Sequence, residues 1–246
     1  MNEYYWDKYV NTIKELYEAM RLHDLVSLPP CDNTKAHLIA KLMGTGSAEA
    51  LYILNSLHLS LPLAGDICEF GVCQGATSAL LAHEIVQTDK RLWLFDSFEG
   101  LPRPSDKDIL IDDIFNLGSM ASYEGAMSCG MAEVQSRLRE TDLPDDRVVI
   151  TSGFIEDIIK KATMPSKVCF AYVDFDFYSP ISVSLDFLDK VLSPGGQIVV
   201  DDYGFFSTGA QTAVDEFLTA HPGCYSFSLP APFAGKFCIL KKLYIP

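Results

Sequence analysis

The pattern of hydrophobic and polar positions changes near residue 65. Before that point, apolar residues recur at helical spacing, and the stretch 3–22 carries Tyr5, Tyr9, Ile13 and Leu16 on one expected helix face. Two more helices are expected through AHLIAKLM and AEALYILNSLHL, after a proline-containing loop. The pattern therefore predicts an N-terminal helical segment over 1–64, acting as a cap, as a dimer surface or as plain core packing.

From residue 65 onward, short apolar runs alternate with helical patterns. The expected strands are GDICEFG, RLWLFDSF, RVVITSGF, VCFAYVDFD and QIVVDDY, and a terminal hairpin is expected from YSFSLP and KFCILKKLY. A Pro-Gly-Gly turn is expected before QIVVDDY. This alternation predicts an α/β fold with a mostly parallel, doubly wound sheet, helices on both faces and ligands at the carboxyl ends of the strands. We treat 65–246 as one domain.

Four aspartates stand at the ends of two very apolar runs. Asp174 and Asp176 end VCFAYVDFD, and Asp201 and Asp202 end QIVVDD. Buried carboxylates need a hydrogen-bond donor, a cation or a shared proton. Four of them at neighbouring strand ends predict a site for a hard metal ion such as Mg, Ca or Mn, which prefers oxygen ligands.

Strand geometry constrains how these aspartates could act together. Residues two apart in a strand point to the same side, so Asp174 and Asp176 can share one face. Neighbouring residues point to opposite sides, so Asp201 and Asp202 must leave strand geometry if both bind one ion. Turn capping by Asp202 is the alternative.

A glycine-punctuated turn follows the first expected strand, in GDICEFGVCQGATS. Glu69 ends the strand, and Gly71 and Gly75 allow a ligand to approach the backbone at the start of a helix. The second strand ends at Asp96, where an acid commonly accepts hydrogen bonds from ribose hydroxyls. The alternatives are a tight turn without a ligand and a surface aspartate that caps its own loop.

Composition narrows the function classes. The chain has 246 residues, 48% of them hydrophobic, and a formal net charge of −14, which argues against binding nucleic acid or an anionic membrane surface. No run approaches a membrane span, and the N-terminus lacks the apolar stretch of a signal peptide. Seven cysteines without a CxxC pair are typical of reduced thiols. We expect a cytoplasmic small-molecule enzyme.

Taken together, EFGVCQG, LFDSFEGLP, YVDFDFYSP and SPGGQIVVDDYG with AVDEF resemble the macrocin O-methyltransferase family, over roughly residues 65–220. The resemblance implies a Rossmann-like class I methyltransferase fold with seven strands, one of the last pair being antiparallel. It also implies S-adenosylmethionine as methyl donor, a glycosylated small-molecule acceptor methylated on a sugar hydroxyl, and a homodimer.

Position by position, the resemblance also implies site residues. The positions matched to S-adenosylmethionine binding are Glu69, Gly71, Gly75, Asp96, Ser97, Ser152, Gly153 and Phe154. The positions matched to a divalent cation, usually magnesium, are Asp174, Asp201 and Asp202. Asp176 matches the general base and would act beside Asp174; a metal-linked carboxylate is the alternative for it.

Rival functions remain open at this stage. A glycosyltransferase could use the D-x-D of Asp174 and Asp176 to hold a metal and a nucleotide-sugar diphosphate, although this leaves the glycine turn and Asp96 unexplained. A methyltransferase could also act on a catechol or an amine. The irregular stretch 101–130 is expected to cover the substrate. Tyr203, Phe205 and Phe206 could line an acceptor pocket or simply pack in the core.

Overall fold

A seven-stranded sheet organises the protein, which is described by a computed structural model over residues 3–244. The strands are β1 Asp66–Phe70, β2 Leu92–Asp96, β3 Val148–Ser152, β4 Val168–Val173, β5 Leu192–Val200, β6 Tyr225–Ser228 and β7 Cys238–Lys242. Their order is β3-β2-β1-β4-β5-β7-β6. The first five strands run parallel, and β7 is antiparallel to both β5 and β6. The predicted mostly parallel sheet and terminal hairpin are confirmed.

Helices cover both faces of this sheet. The α-helices are α1 Glu3–His23, α2 Asn33–Ala40, α3 Ser47–Ser60, α4 Ala76–Ile85, α5 Met131–Leu138, α6 Ile155–Lys161, α7 Tyr178–Val191 and α8 Gly209–Ala220. Two 3-10 helices, Met120–Tyr123 and Asp145–Arg147, lie in connections. No helix in the described range 3–244 combines the length and apolar character that a membrane crossing requires.

Alternation along the strands divides the core into two layers. Ile67 and Leu94 belong to the cluster with α1 to α5, whereas Cys68 and Phe95 belong to the cluster with α6, α7 and α8. The N-terminal helices thus share a core with the sheet, through buried residues such as Tyr17. The division into 1–64 and 65–246 stays a prediction, and its outermost residues, 1–2 and 245–246, lie outside the described part.

The expected Pro-Gly-Gly turn is wrong, because Pro194–Gly196 lie within β5. Pairing with β4 jumps here from Leu192 opposite Val168 to Gln197 opposite Phe170, so the intervening residues form an irregular strand segment. Gly195 has a φ of 85°, and a Cβ on Gly196 would lie 2.6 Å from the Cys169 carbonyl oxygen. Glycine therefore serves a close strand contact at this point.

The strand order reverses between β1 and β4, because β1 pairs in parallel with β2 on one side and with β4 on the other. In doubly wound sheets such a reversal opens a crevice at the carboxyl ends of the strands. The glycine turn after β1 and the acidic segments after β4 and β5 all lie at this edge. The fold thus brings the predicted site segments together.

Candidate functional site

A cavity of about 590 Å³ opens at this edge of the sheet. The segments after β1, β2, β3, β4 and β5 all contribute to its wall. Seven of the described lining residues are acids and none is Lys, Arg or His; the acids are Glu69, Asp96, Glu156, Asp174, Asp176, Asp201 and Asp202. The wall is therefore strongly electronegative, and a cationic ligand is favoured there.

The turn after β1 contains glycines for two different reasons. Gly71 has a φ of 87°, and a Cβ there would lie 1.8 Å from the Asp174 carbonyl oxygen. Gly71 therefore lets the ends of β1 and β4 meet and forms part of the cavity wall. Gly75 has a φ of 76°, and its missing Cβ would lie 3.0 Å from Val134 on α5. Gly75 packs against a helix and is not among the cavity-lining residues.

Asp96 braces the glycine turn from the neighbouring strand. Its Oδ2 accepts hydrogen bonds from the backbone N–H groups of Val72, at 2.7 Å, and Cys73, at 2.8 Å. Its Oδ1 accepts one from the N–H of Phe98 at 2.7 Å. A carboxylate offers about four lone-pair sites, so acceptor capacity remains on the side that lines the cavity. The ribose role of Asp96 stays a prediction.

Glu69 is the most deeply buried of the acids that line the cavity, at 1% exposure. Burial is the main reason that its pKa rises to about 8, and the charge of Asp96 adds to the effect. The Ser78 hydroxyl of α4 donates a hydrogen bond to Glu69 Oε2 and partly opposes the rise. Near neutral pH Glu69 is therefore largely protonated and can donate a hydrogen bond into the cavity.

Of the other four residues predicted to bind the cofactor, three line the cavity and one does not. Ser97, Gly153 and Phe154 line the cavity, whereas Ser152 does not. The Ser97 hydroxyl donates to the Gly100 carbonyl at 2.9 Å, so it shapes the loop after β2. The Ser152 hydroxyl points to the Ser97 carbonyl at 3.4 Å. Backbone and ring surfaces here could enclose a flat group.

Three aspartates converge in the cavity wall. Carboxylate oxygens of Asp174, Asp176 and Asp202 all lie within 4.8 Å of one another. Asp176 and Asp202 have φ values of 61° and 57°, so both lie outside strand geometry. The sequence required this of the Asp201–Asp202 pair. The strand spacing expected for Asp174 and Asp176 is wrong, because β4 ends at Val173. Burial raises the pKa of all three carboxyls well above the usual range, and the charges of neighbouring aspartates raise it further.

Asp201 faces a different set of partners. The Tyr172 hydroxyl donates to Asp201 Oδ2 at 2.7 Å, and the N–H of Asp202 donates to its Oδ1 at 2.8 Å. Glu49 of α3 lies in hydrogen-bonding contact with Asp201, and burial together with the Asp201 charge raises the pKa of Glu49 to about 11. Glu49 thus keeps its proton near neutral pH.

Tyr172 and Glu49 were missed in the sequence analysis. Tyr172 precedes Asp174 by two positions in β4 and so shares its face, which the strand period could have indicated. Glu49 gives a weaker signal, because an acid in the otherwise apolar run AEALYILNSL could equally face solvent. Its burial at 6% exposure depends on how α3 packs against the sheet.

The donor set fits a hard divalent cation. Each member of the trio offers carboxylate oxygen, the ligand type that Mg, Mn and Ca prefer. No cationic side chain lies among the described residues that line the cavity, so the chain itself does not balance these charges. The raised pKa values express the same imbalance, because bringing like charges together favours protonation unless a cation binds.

The loop 101–130 forms the apolar part of the wall. Ile114, Phe115 and Met127 line the cavity, as does Phe205 after β5. Phe206 is fully buried in a small cluster with Leu101, Tyr123 and Phe177 that anchors the loop. Of the three aromatic residues considered for the acceptor pocket, Phe205 lines the cavity, Phe206 packs in this cluster and Tyr203 packs against Phe227.

Solved structures identify the fold as that of class I methyltransferases. The O-methyltransferase NovP superposes with a TM-score of 0.68 at 21% identity, covering 81% of each chain. The calicheamicin methyltransferase CalS11 superposes with a TM-score of 0.65 at 18% identity, covering 94% of this chain and 91% of the other. The expected Rossmann-like class I methyltransferase fold is confirmed.

Sequence comparison then gives the family. Residues 59–222 match the family model described as Macrocin-O-methyltransferase (TylF), which covers more than half of the chain. The protein belongs to this family, and the resemblance inferred from the motifs is confirmed.

Two curated relatives show how far the similarity extends. The 8-demethyl-8-(2,3-dimethoxy-alpha-L-rhamnosyl)-tetracenomycin-C 4'-O-methyltransferase of Streptomyces olivaceus is 30% identical over 144 residues, 56% of this chain and 53% of that protein. The mycinamicin III 3''-O-methyltransferase of Micromonospora griseorubida is 30% identical over 164 residues, 64% of this chain and 61% of that protein. The chain thus spans about half to three fifths of these relatives.

Proposed function

We propose that the protein transfers a methyl group from S-adenosylmethionine to a hydroxyl group of a sugar on a small-molecule natural product. The observation that carries the proposal is one cavity whose wall contains both a braced glycine turn with Asp96 and a carboxylate trio. A donor site and an acceptor-activating site therefore adjoin each other. Membership of the macrocin O-methyltransferase family supports the same reaction.

The charge of the cavity favours this proposal over a glycosyltransferase. S-adenosylmethionine carries a positive sulfonium, which the acidic wall would attract. A nucleotide-sugar diphosphate is strongly anionic, and the described lining residues contain no Lys or Arg to pair with it. The glycine turn and Asp96 also have no role in the glycosyltransferase alternative.

The substrate class is extended to this chain from its relatives. The Streptomyces olivaceus relative is named for a rhamnosyl-bearing substrate. In this protein the wall beside the carboxylates is apolar, with Ile114, Phe115 and Phe205, and it could receive the hydrophobic body of a glycoside while the sugar faces the acids. A catechol or an amine remains the rival acceptor.

We further propose that Asp174 and Asp202 hold a divalent cation, with magnesium as the expected ion. When bound, such a cation would lower the pKa of an acceptor hydroxyl. The resemblance implies Asp201 as the third ligand, whereas the observed spacing favours Asp176. Tyr172 and Glu49 orient the Asp201 carboxylate from behind in either arrangement.

The proton of the acceptor hydroxyl needs a nearby base. Asp176 is the expected one, because it is a partly buried carboxyl of the trio that lines the cavity, and burial and the Asp174 charge raise its pKa. The Ser207 hydroxyl donates to the Asp176 carbonyl at 3.0 Å and holds the left-handed turn in place. The loop 101–130 would exclude water from the reacting groups.

Ligand binding tests the reaction class first. Titration calorimetry with S-adenosylmethionine, S-adenosylhomocysteine and a UDP-sugar should show binding of the adenosyl ligands only. Gly71→Ala should abolish that binding, since its Cβ has no room. Gly130→Ala, where φ is −83° and a Cβ meets nothing within 4 Å, serves as the control. Binding of the UDP-sugar alone would refute the methyltransferase proposal.

Methyl transfer tests the acceptor class. A panel of glycosides, catechols and amines, read by mass spectrometry, should show a gain of one methyl group on glycosides. Methylation confined to catechols or amines would contradict the proposed sugar acceptor but would still support methyl transfer as the reaction.

Two matched variants distinguish a metal-ligand role of Asp176 from a role as general base only. Mn²⁺ binding, measured by electron paramagnetic resonance, should fall in Asp176→Asn if this residue is a ligand and persist if it serves only as base. The same measurement on Asp201→Asn tests the set implied by the resemblance. If both variants still bind Mn²⁺ as the parent protein does, both proposed sets of three ligands are refuted.

Two finer expectations also belong to the proposal. We propose a homodimer, which sedimentation velocity would reveal as a mass twice that of the chain. The cytoplasmic location stays a prediction that fractionation of the native host would test. Neither expectation enters the argument for the reaction.

A further inference from the structure

Two cysteines face each other across the wall of the cavity. The Sγ atoms of Cys73 and Cys129 lie 3.1 Å apart, and Cys73 Sγ also lies 3.8 Å from the Met127 carbonyl oxygen. A disulfide bond is about 2.05 Å long, so the two sulfur atoms are about 1 Å from bonding distance. Bond formation therefore requires the two Sγ atoms to move about 1 Å closer together.

The pair joins two segments that enclose the proposed cofactor site. Cys73 lies in the turn between Gly71 and Gly75, with a φ of 47°, and Cys129 lies near the end of the loop 101–130. Both residues line the cavity. Their separation is 56 positions along the chain, so a bond between them would close a long loop.

The other cysteines are placed differently. Cys68, Cys169 and Cys238 are buried in the strands, whereas Cys31 and Cys224 are partly exposed. Cys73 is exposed and Cys129 is partly exposed, so an oxidant can reach this pair. Although the residue is exposed, partial desolvation of its sulfur and the adjacent Cys129 thiol raise the pKa of Cys73 to about 12, so Cys73 keeps its proton at neutral pH.

We propose that Cys73 and Cys129 are a modification site that forms a reversible disulfide with a low-molecular-weight disulfide, such as oxidised glutathione, as the oxidant. The Cys129 thiol gives its proton to water and its sulfur attacks the small disulfide, giving a mixed disulfide and releasing one small thiolate. That thiolate takes the proton of Cys73, whose sulfur then attacks the Cys129 sulfur. The second small thiolate leaves and takes up a proton from water. The protein dithiol is oxidised and one small disulfide is reduced to two thiols.

The bond would restrain the loop 101–130 at the cofactor turn. Because residues of this loop form part of the cavity wall, fixing its end to Cys73 should slow the entry and release of the adenosyl ligand. This second step rests on the proposed function, whereas the disulfide itself does not.

Intact-mass and peptide mapping test the disulfide. The folded, reduced protein treated with excess oxidised glutathione should lose about 2 Da and yield a linked Cys73–Cys129 peptide. Cys73→Ser and Cys129→Ser should yield no such peptide, whereas Cys224→Ser, remote from the cavity, should behave as the parent protein does. The cross-linked protein should melt higher by on the order of 10 °C, since a long loop is closed.

Ligand kinetics test the restraint. Dissociation of S-adenosylhomocysteine, followed by stopped flow, should slow roughly tenfold on oxidation and recover on reduction. Failure to form the link under excess oxidant would overturn the disulfide, and a link with unchanged dissociation would overturn the restraint. Absence of adenosyl binding in both redox states would instead refute the proposed function, while the mass measurement still decides the disulfide.

Discussion

Two regions that hold carboxylates away from bulk water differ in how the described residues neutralise the charge. At the junction of α2, α3 and α4, Lys35 Nζ lies 3.0 Å from Glu84 Oε1, and His58 Nε2 lies 2.5 Å from Glu84 Oε2. Lys35 and Glu84 are each 3% exposed. At the carboxyl edge of the sheet, Asp174, Asp176 and Asp202 converge, and no described residue lining the cavity is a cation.

The difference separates a structural charge network from a ligand site. A buried charge must be paired or protonated, because transfer out of water is unfavourable. The helix junction meets this requirement within the chain. At the carboxyl edge of the sheet, protons or bound cations must neutralise the carboxylates. The raised pKa values of Asp174 and Asp202 show this, because a raised pKa means that the carboxyl binds a proton more readily.

The largest expected effect concerns the unpaired region. Asp202→Asn should lower turnover by about 10³-fold or more, since several kcal/mol of charge stabilisation would be lost. The affinity for S-adenosylhomocysteine should stay nearly unchanged, and the metal-free protein should melt higher because one like charge is removed. Asp106→Asn, on an exposed part of the loop, is the control. Steady-state kinetics and calorimetry that show equal losses of turnover and cofactor affinity would contradict the assignment.

The paired region should respond through stability. Lys35→Met leaves the Glu84 charge without its cation and should reduce the free energy of unfolding by about 3–5 kcal/mol. Adding Glu84→Leu to this variant should recover much of that loss, since the unpaired charge is then removed. Urea unfolding measures both variants. A loss of the same size in the double variant would show that packing, not charge, dominates.

Glu69 links the comparison to pH. Its pKa of about 8 in the folded protein lies above its ordinary value, so the unfolded chain releases the proton first as pH rises. Stability should therefore fall between the two values, by about 2–3 kcal/mol from pH 5 to pH 7. Glu69→Gln should remove this contribution in chelator-treated protein without cofactor. Parallel pH–stability curves for the two proteins would contradict it.

The smallest effect is expected at an exposed ion pair. Lys41 Nζ lies 3.5 Å from Glu140 Oε2, and these side chains are 51% and 61% exposed. Solvent screens this pair, so Lys41→Met should change the free energy of unfolding by less than about 1 kcal/mol. Urea unfolding beside Lys35→Met makes the two lysines a matched test. A loss comparable to that of Lys35→Met would show that burial does not explain the difference.

Much of the fold could be predicted because the sheet is patterned by short apolar strands. In a strand, neighbouring side chains point to opposite faces, and Ile67 and Cys68 of β1 accordingly lie in different core layers. The Pro-Gly-Gly segment was misread as a turn, because its irregular pairing with β4 depends on a neighbouring strand. Local propensity cannot reveal a register shift between distant strands.

The candidate site was predictable in part for the same reason. The carboxyl ends of parallel strands lie at one edge of the sheet, so the sequence alone predicts that Asp96, Asp174 and Asp202 lie near one another. Gly75 and Ser152 looked equivalent to their neighbours in sequence, yet neither lines the cavity. Gly75 instead packs against α5, and the Ser152 hydroxyl contacts the loop after β2.

The sequence by itself determined the strand and helix alternation, the acidic strand ends and the family. These features depend on residue type and short-range spacing, which the chain carries locally. Only the tertiary structure decided that Asp201 faces Tyr172 and Glu49 and that Cys73 meets Cys129, because segments far apart in the chain make these contacts. Packing of α3 against the sheet and closure of the loop 101–130 create these contacts.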